Sequence, residues 1–243
     1  MAMTRDEVLA AYRPVRLGIQ RVLAVASNAC KQADFARAFK HVAPWAEADE
    51  IAELGGGDMI MDVALFEPNQ RGRRVIDRFL AEKPGQALPP PDRALAERIA
   101  TAWFSIFRVT GRHDAAGLWL EDLLDGNRRV WVMDEAMERS ASTGMTVAMR
   151  LFDAGTFHAG FGVIVQPEEE TVAVCVASVA HGGRIPFRHS LAATLYGDAL
   201  RDAAGPGEEE AITLLQALLE LADTIPPRRK PAARRAKRQR SPR

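Results

Sequence analysis

Nine of the chain's 32 Lys and Arg residues fall within positions 228–243, RRKPAARRAKRQRSPR, where no Asp or Glu interrupts them. Clustered cations of this kind bind phosphate backbones by releasing condensed counterions, and a flexible segment does so without a folded pocket. Arg228, Arg229, Lys230, Arg234, Arg235, Lys237, Arg238 and Arg240 are therefore the first candidates for contact with RNA, DNA or a nucleoprotein. A solubilising tail, or one that folds back on an acidic body, is the alternative for the same residues. The second candidate is Trp119, Arg128, Arg129 and Trp131. On two strands joined at Asp125-Gly126, tryptophans facing one side would form a stacking platform with arginines at its edge. The competing reading places both tryptophans in the core. Glu121, Asp122 and Asp125 nearby would repel phosphate.

Other constellations carry less. His181-Gly182-Gly183-Arg184 resembles the oxyanion turn of α/β-hydrolases, yet no G-x-S-x-G elbow accompanies it. A helix C-cap accounts for both glycines and the histidine. His113-Asp114 could form a general acid–base pair, although a turn Asp beside a solvated His is the simpler account. His41, His113, His158, His181 and His189 show no metal-ligand spacing, and with no C-x-x-C the expectation is no metal and no cofactor. Gly55-Gly56-Gly57 lacks the Lys-Ser/Thr of a phosphate loop. Glu47, Asp49, Glu50, Glu53 and Asp58 could meet a metal or a basic partner, with a solvated helix face as the default.

The elements that would position these residues read as α+β. Thr4 and Glu7 fit a capping box, opening a helical run to Ala26 that Pro14 should kink or divide. A second helix is expected over Lys31–His41, ended by Pro44. MIMDVALFE (59–67) is too short for periodicity to separate strand from helix. Arg73–Ala81 has the spacing of a short helix. Pro84 and Pro89-Pro90-Pro91 read as a stiff extended connector, with Asp92 as N-cap of a helix to about Ala102.

From Trp103 to Val165 the segments are short, apolar and separated by turn signals. Asp125-Gly126 marks a type I′ hairpin, Asp153-Ala154-Gly155 a second, and Glu135–Ser142 has room for one helical turn. This pattern predicts a small antiparallel five-stranded barrel, OB- or SH3-like. TVAVCVASVA (171–180) has strand propensity but helical punctuation, Pro167 before it and Gly182-Gly183 after it, and is taken as helix. Glu208–Thr224 reads as an amphipathic helix stopped by Pro226-Pro227. The organisation is thus a mainly helical region 1–102, the barrel 103–165, C-terminal helices 166–225 and a disordered basic tail 226–243.

SIFRV (105–109), LEDLLDGN (120–127), VMDEAMERSASTGMTVAMRLF (132–152) and GFGVIV (160–165) resemble an uncharacterised bacterial family. In it a helical N-terminal part leads into a "DLLTG"-type hairpin and a "GD-x-L" strand. The resemblance covers roughly residues 58–165, and this chain has Gly144-Met145-Thr146 where the family's Gly-Asp stands. Some relatives carry a Cys-rich zinc motif like that at the SecA C-terminus, absent here. The resemblance implies a bacterial source and the architecture above, and no activity.

The 243 residues carry equal numbers of acidic and basic side chains, but setting the tail aside leaves 23 basic against 32 acidic residues, a formal charge of −9. Cys30 and Cys175 stand far apart in apolar contexts, which suits reduced thiols rather than a disulfide scaffold. No apolar run reaches the roughly 20 residues that span a bilayer, and no signal peptide is visible, so a cytoplasmic location is expected. The preferred function is a non-enzymatic accessory protein that associates with nucleic acid or a nucleoprotein through the tail and the barrel. The alternative is a protein–protein adaptor whose acidic body meets a basic partner. A hydrolase-like enzyme built on His113 or His181 ranks third.

Overall fold

Thr4 accepts from the Glu7 N–H while the Glu7 carboxylate accepts from the Thr4 N–H at 2.7 Å, and this reciprocal cap opens the first helix. The structure, a computed structural model, describes residues 3–205. Helix α1 (Arg5–Ser27) runs unbroken through Pro14, which corrects the expected division. Pro14 lies on the exposed side, as does Ala10, whose carbonyl the missing N–H leaves to solvent rather than to a buried void.

Helices α2 (Gln32–Val42), α3 (Ala48–Glu53), α4 (Gly57–Phe66) and α5 (Val75–Ala81) follow. MIMDVALF is therefore helical; Ile60, Val63, Ala64, Leu65 and Phe66 are all buried, which hides any amphipathic period. The proline stretch is not an extended connector. Lys83–Gln86 makes a single turn, α6, and Pro90 and Pro91 occupy the first positions of α7 (Pro90–Ile99). Proline fits there because those N–H groups have no intrahelical acceptor. Asp92 is accordingly inside the helix rather than its cap, and its carboxylate accepts from Arg21 at 2.7 and 3.0 Å.

The barrel follows: β1 (Trp103–Arg112), β2 (Leu118–Asp122), β3 (Arg128–Val132), α8 (Glu135–Ser140), β4 (Thr146–Asp153) and β5 (His158–Val165). The strands close in the order β1-β2-β3-β5-β4. Four seams are antiparallel, and the fifth, β3 to β5, is parallel through the single pair Val132↔His158. A long shared β1, a parallel β3–β5 closure and a helix between β3 and β4 make the topology OB-like rather than SH3-like. Phe107, Leu118, Leu120, Val130, Val147 and Leu151 fill the interior, and Met137 of α8 joins them.

The β2–β3 turn is shifted by one residue from expectation. Gly126 and Asn127 carry the positive φ values, 58° and 59°, and the Arg128 N–H donates to the Asp125 carbonyl at 2.9 Å. Gly117, before β2, has φ +82°, and a Cβ there would collide with the Val132 carbonyl oxygen. Only glycine lets this loop lie so close to β3.

Helix α9 (Glu169–Ala180) forms as expected, and His181 is its C-cap. Helix α10 (Leu191–Ala204) has no counterpart in the sequence reading. Its cues were Ser190, whose hydroxyl accepts from the Ala193 N–H, and the buried spacing Leu195, Tyr196, Leu200. Small residues allow it close to α2: a Cβ on Gly197 would run into the Val42 carbonyl oxygen. The apolar cluster around it joins Val42, Val63 and Tyr196 to Ile106, Ala148 and Val165 of the strands. Helices thus cover the outer side of β1, β4 and β5. The predicted helix 208–224 and the basic tail lie outside the described residues.

One charged group crosses that apolar interface. Arg150 of β4, 5% exposed, donates to Asp62 at 2.9 and 3.0 Å and to Glu67 at 2.8 Å. Its guanidinium carbon lies 4.9 Å from the Phe66 ring centroid and 5.6 Å from that of Phe104. The two carboxylates hold Arg150 charged against its burial, while burial pushes the Asp62 carboxyl up. The two cysteines are free, and burial pushes the Cys30 thiol up to about 11. No helix among the described residues is long and apolar enough to cross a membrane.

Candidate nucleic-acid interface

Strand alternation decides what β2 and β3 show to the outside. Leu118, Leu120, Val130 and Val132 point into the barrel, so Trp119, Glu121, Arg129 and Trp131 point out. Trp119 and Trp131 are direct cross-strand partners and share the outer face. Both are half-buried. Trp119 lies on the outer surface of the barrel, whereas Trp131 also packs against the small core of Val8, Tyr12, Ala116, Met133 and Phe157, so the core reading holds for it in part.

Their rings are already engaged. The Arg129 guanidinium stands 4.1 Å from the Trp119 ring centroid. The His113 imidazole, from the β1–β2 loop, stacks on Trp131 at 3.8 Å with 6° between planes, and leans on Trp119 at 4.9 Å. Trp131 Nε1–H donates to the Ala116 carbonyl at 2.7 Å, which ties the β1–β2 loop to β3. Burial lowers the His113 pKa and Arg129 adds to that, against the pull of Asp114. The shift favours the neutral imidazole, the form that lies beside Arg129 without charge repulsion. His113 is a stacking partner here, and its Nδ1 accepts from the Ala115 N–H at 3.1 Å.

Arg128 does not belong to this face. It pairs with Asp125 at 2.8 Å at the hairpin, and its guanidinium lies 4.8 Å from the Trp103 ring centroid at the barrel end. The expectation that Arg128 and Arg129 both edge the tryptophan pair holds for Arg129 only, because adjacent strand residues point to opposite sides. Arg108 takes the place of Arg128. It is exposed on β1, in register with Glu121, which is in register with Arg129, so the outer face carries the row Arg108–Glu121–Arg129.

The acids that argued against phosphate are mostly absent from this face. Asp122 is 1% exposed and accepts from Trp103 Nε1, at 2.9 Å, and from the Ser105 hydroxyl. Asp125 is taken up by Arg128. Of these three acids, Glu121 alone shares the surface, flanked by two arginines, with the exposed Asp114 beside His113 at its margin. The remaining candidates, Arg228, Arg229, Lys230, Arg234, Arg235, Lys237, Arg238 and Arg240, lie outside the described residues.

His181 and its glycines form the end of α9: Gly182 has φ +68°, and the Gly183 N–H donates to the Ser178 carbonyl at 2.9 Å. Glu47, Asp49, Glu50, Glu53 and Asp58 are all exposed, and no group of three potential metal ligands converges among the described residues.

The model of a family of unknown function (DUF7986) matches residues 32–171, from the start of α2 through the whole barrel. No curated protein and no solved structure matches the chain.

Proposed function

The chain belongs to this family of unknown function (DUF7986), and from the barrel that the family match encloses we propose a non-enzymatic protein that holds single-stranded nucleic acid, alone or within a nucleoprotein. The observation that carries this reading is the cross-strand pair Trp119–Trp131 on the outer face, with Arg129 over the Trp119 ring and Arg108 in the same row of strand residues. Bases stack on such rings whatever their sequence, and the arginines answer the backbone phosphates. The strand 2–3 face of OB-like barrels is the side that serves oligonucleotides. The basic segment 228–243 would add charge-driven affinity without sequence preference. The reading takes the source as bacterial and the compartment as the cytoplasm.

The test is titration of the full chain with a short single-stranded oligonucleotide, read by tryptophan fluorescence. Trp119→Ala should weaken binding by about 1–3 kcal/mol, the range of one base–aromatic stack, and Trp119→Phe should restore most of it. Equal affinity for all three proteins would sink the barrel face as the site. The exposed acidic row of α3 and its flanks, Glu47 to Asp58, supports a second reading in which the body docks a basic protein partner. Binding of such a partner that survives Trp119→Ala would favour it.

A further inference from the structure

On residues separate from the barrel face, α2 and the loop after α4 wall an open groove of about 940 Å³. Arg37, Lys40 and His41 of α2, Arg71 of the loop, and Arg188 and His189 before α10 line it. Asp34 is the one acid in the wall, and it is spoken for: Arg78 Nη2 and the Lys31 N–H both donate to it at 3.0 Å. Arg37, Lys40, Arg71 and Arg188 form no ion pair among the described residues. A cleft lined by one sign of charge focuses its field outward, and here it does so on a chain whose first 227 residues total −9.

Two details make the groove more than a charged surface. Arg37 Nη2 donates to the Ala64 and Glu67 carbonyls at 3.4 and 3.3 Å, but its Nε and Nη1 are buried with no acceptor. Buried donors left unmet are costly, most of all on a charged group. The backbone that presents Arg71 is fixed: the Asn69 side chain accepts from the Arg71 and Arg73 backbone N–H groups at 2.9 and 3.2 Å, closing the loop. Opposite, His41 and His189 stack at 4.1 Å with 16° between planes. A second depression of about 590 Å³ shares Asn69 and Arg71 with the first and adds Lys31 and Arg73, and the one acid in its wall, Asp77, is paired with Arg74 at 2.6 Å.

We propose that this groove binds a small ligand carrying more than one phosphate, its charge held by Arg37, Lys40, Arg71 and Arg188, with the continuation toward Lys31 and Arg73 receiving the further phosphate. Ala33, Ala36, Pro44 and Pro68 supply an apolar wall beside the cations, the mixed lining of small-molecule clefts.

The proposal is tested by calorimetric titration of the full chain with inorganic phosphate, with pyrophosphate and with a short single-stranded oligonucleotide. Arg71→Ala and Arg188→Ala are made at exposed positions, so their melting temperatures should match the parent's. Pyrophosphate should bind more tightly than phosphate, and each substitution should weaken it about tenfold, or about 1.4 kcal/mol. Trp119→Ala should leave pyrophosphate binding unchanged. The idea is overturned if pyrophosphate fails to bind at millimolar concentration, or binds both variants as it binds the parent. It is equally overturned if the two substitutions weaken only the oligonucleotide, since the groove would then track a nucleic-acid backbone.

Discussion

At the scale of single residues, the most exacting placement is Arg150. Removing one partner of a buried pair strands the other charge in a poor solvent, which costs far more than the pair itself contributes. Arg150→Met should therefore lower stability by about 3–5 kcal/mol in urea unfolding. Adding Asp62→Leu to it should recover part of that loss; a double variant no better than the single would show that Asp62 is not the stranded charge. Half of this was visible in the sequence. Asp62 inside MIMDVALFE and Arg150 inside TVAMRLF are charges in apolar runs, which marks each as paired. That they pair with each other, 88 positions apart, follows only from packing α4 on the barrel. The groove of His41 and His189 was invisible for the same reason.

At the scale of elements, local punctuation is legible in the sequence where it concerns a single turn of chain. The Thr4–Glu7 cap, the helical ends of 169–180 and the Asp153–Gly155 hairpin all stand. It fails where the meaning of a residue depends on what surrounds it. Pro89-Pro90-Pro91 has the composition of extended chain, but a helix start accommodates prolines as well, and the burial of Ala96 and Ile99 on α7 goes with the second. Strand alternation alone left open whether Trp119 and Trp131 share a face and whether that face is inner or outer; the β2–β3 register decides the first and the burial of Leu118, Leu120, Val130 and Val132 the second. The β1–β2 loop carries a prediction of its own. Gly117→Ala adds both a left-handed backbone penalty and a clash with the Val132 carbonyl, so it should cost about 1–3 kcal/mol. Because this loop carries His113, the same variant should also change the tryptophan emission of the native state. An unaltered spectrum would mean that the loop does not hold His113 on Trp131.

At the scale of the whole molecule, charge and protonation set the behaviour. His41, His113, His158 and His189 all have lowered pKa values, with burial the leading cause in each. His41 faces His189, Arg37 and Lys40, with Glu67 opposing, and His189 faces Arg188. A depressed histidine contributes stability that is present above about pH 6.5 and is lost as pH falls through its folded value. Urea midpoints should accordingly drop on going from pH 7.5 to 5.5, and pyrophosphate, which favours the charged imidazoles, should reduce the drop. A flat profile would show that these histidines titrate as in the unfolded chain. Segment 228–243 sets the salt response: deleting it should flatten log K against log salt by about 0.7 for each phosphate the segment neutralises.

Four of the barrel's seams are ladders of five or six rungs, but β3 and β5 share a single ladder pair, Val132↔His158, supported by the Met133 N–H donating to the His158 carbonyl at 2.9 Å and by His158 Nδ1 lying 3.3 Å from the Trp131 carbonyl. A cylinder fastened this way has a clasp, and the strand that carries Trp131 is one half of it. Whatever grips Trp131 then also governs how often the clasp lets go. Hydrogen exchange at the Met133 amide becomes a gauge, read inside the wall, of occupancy on the surface.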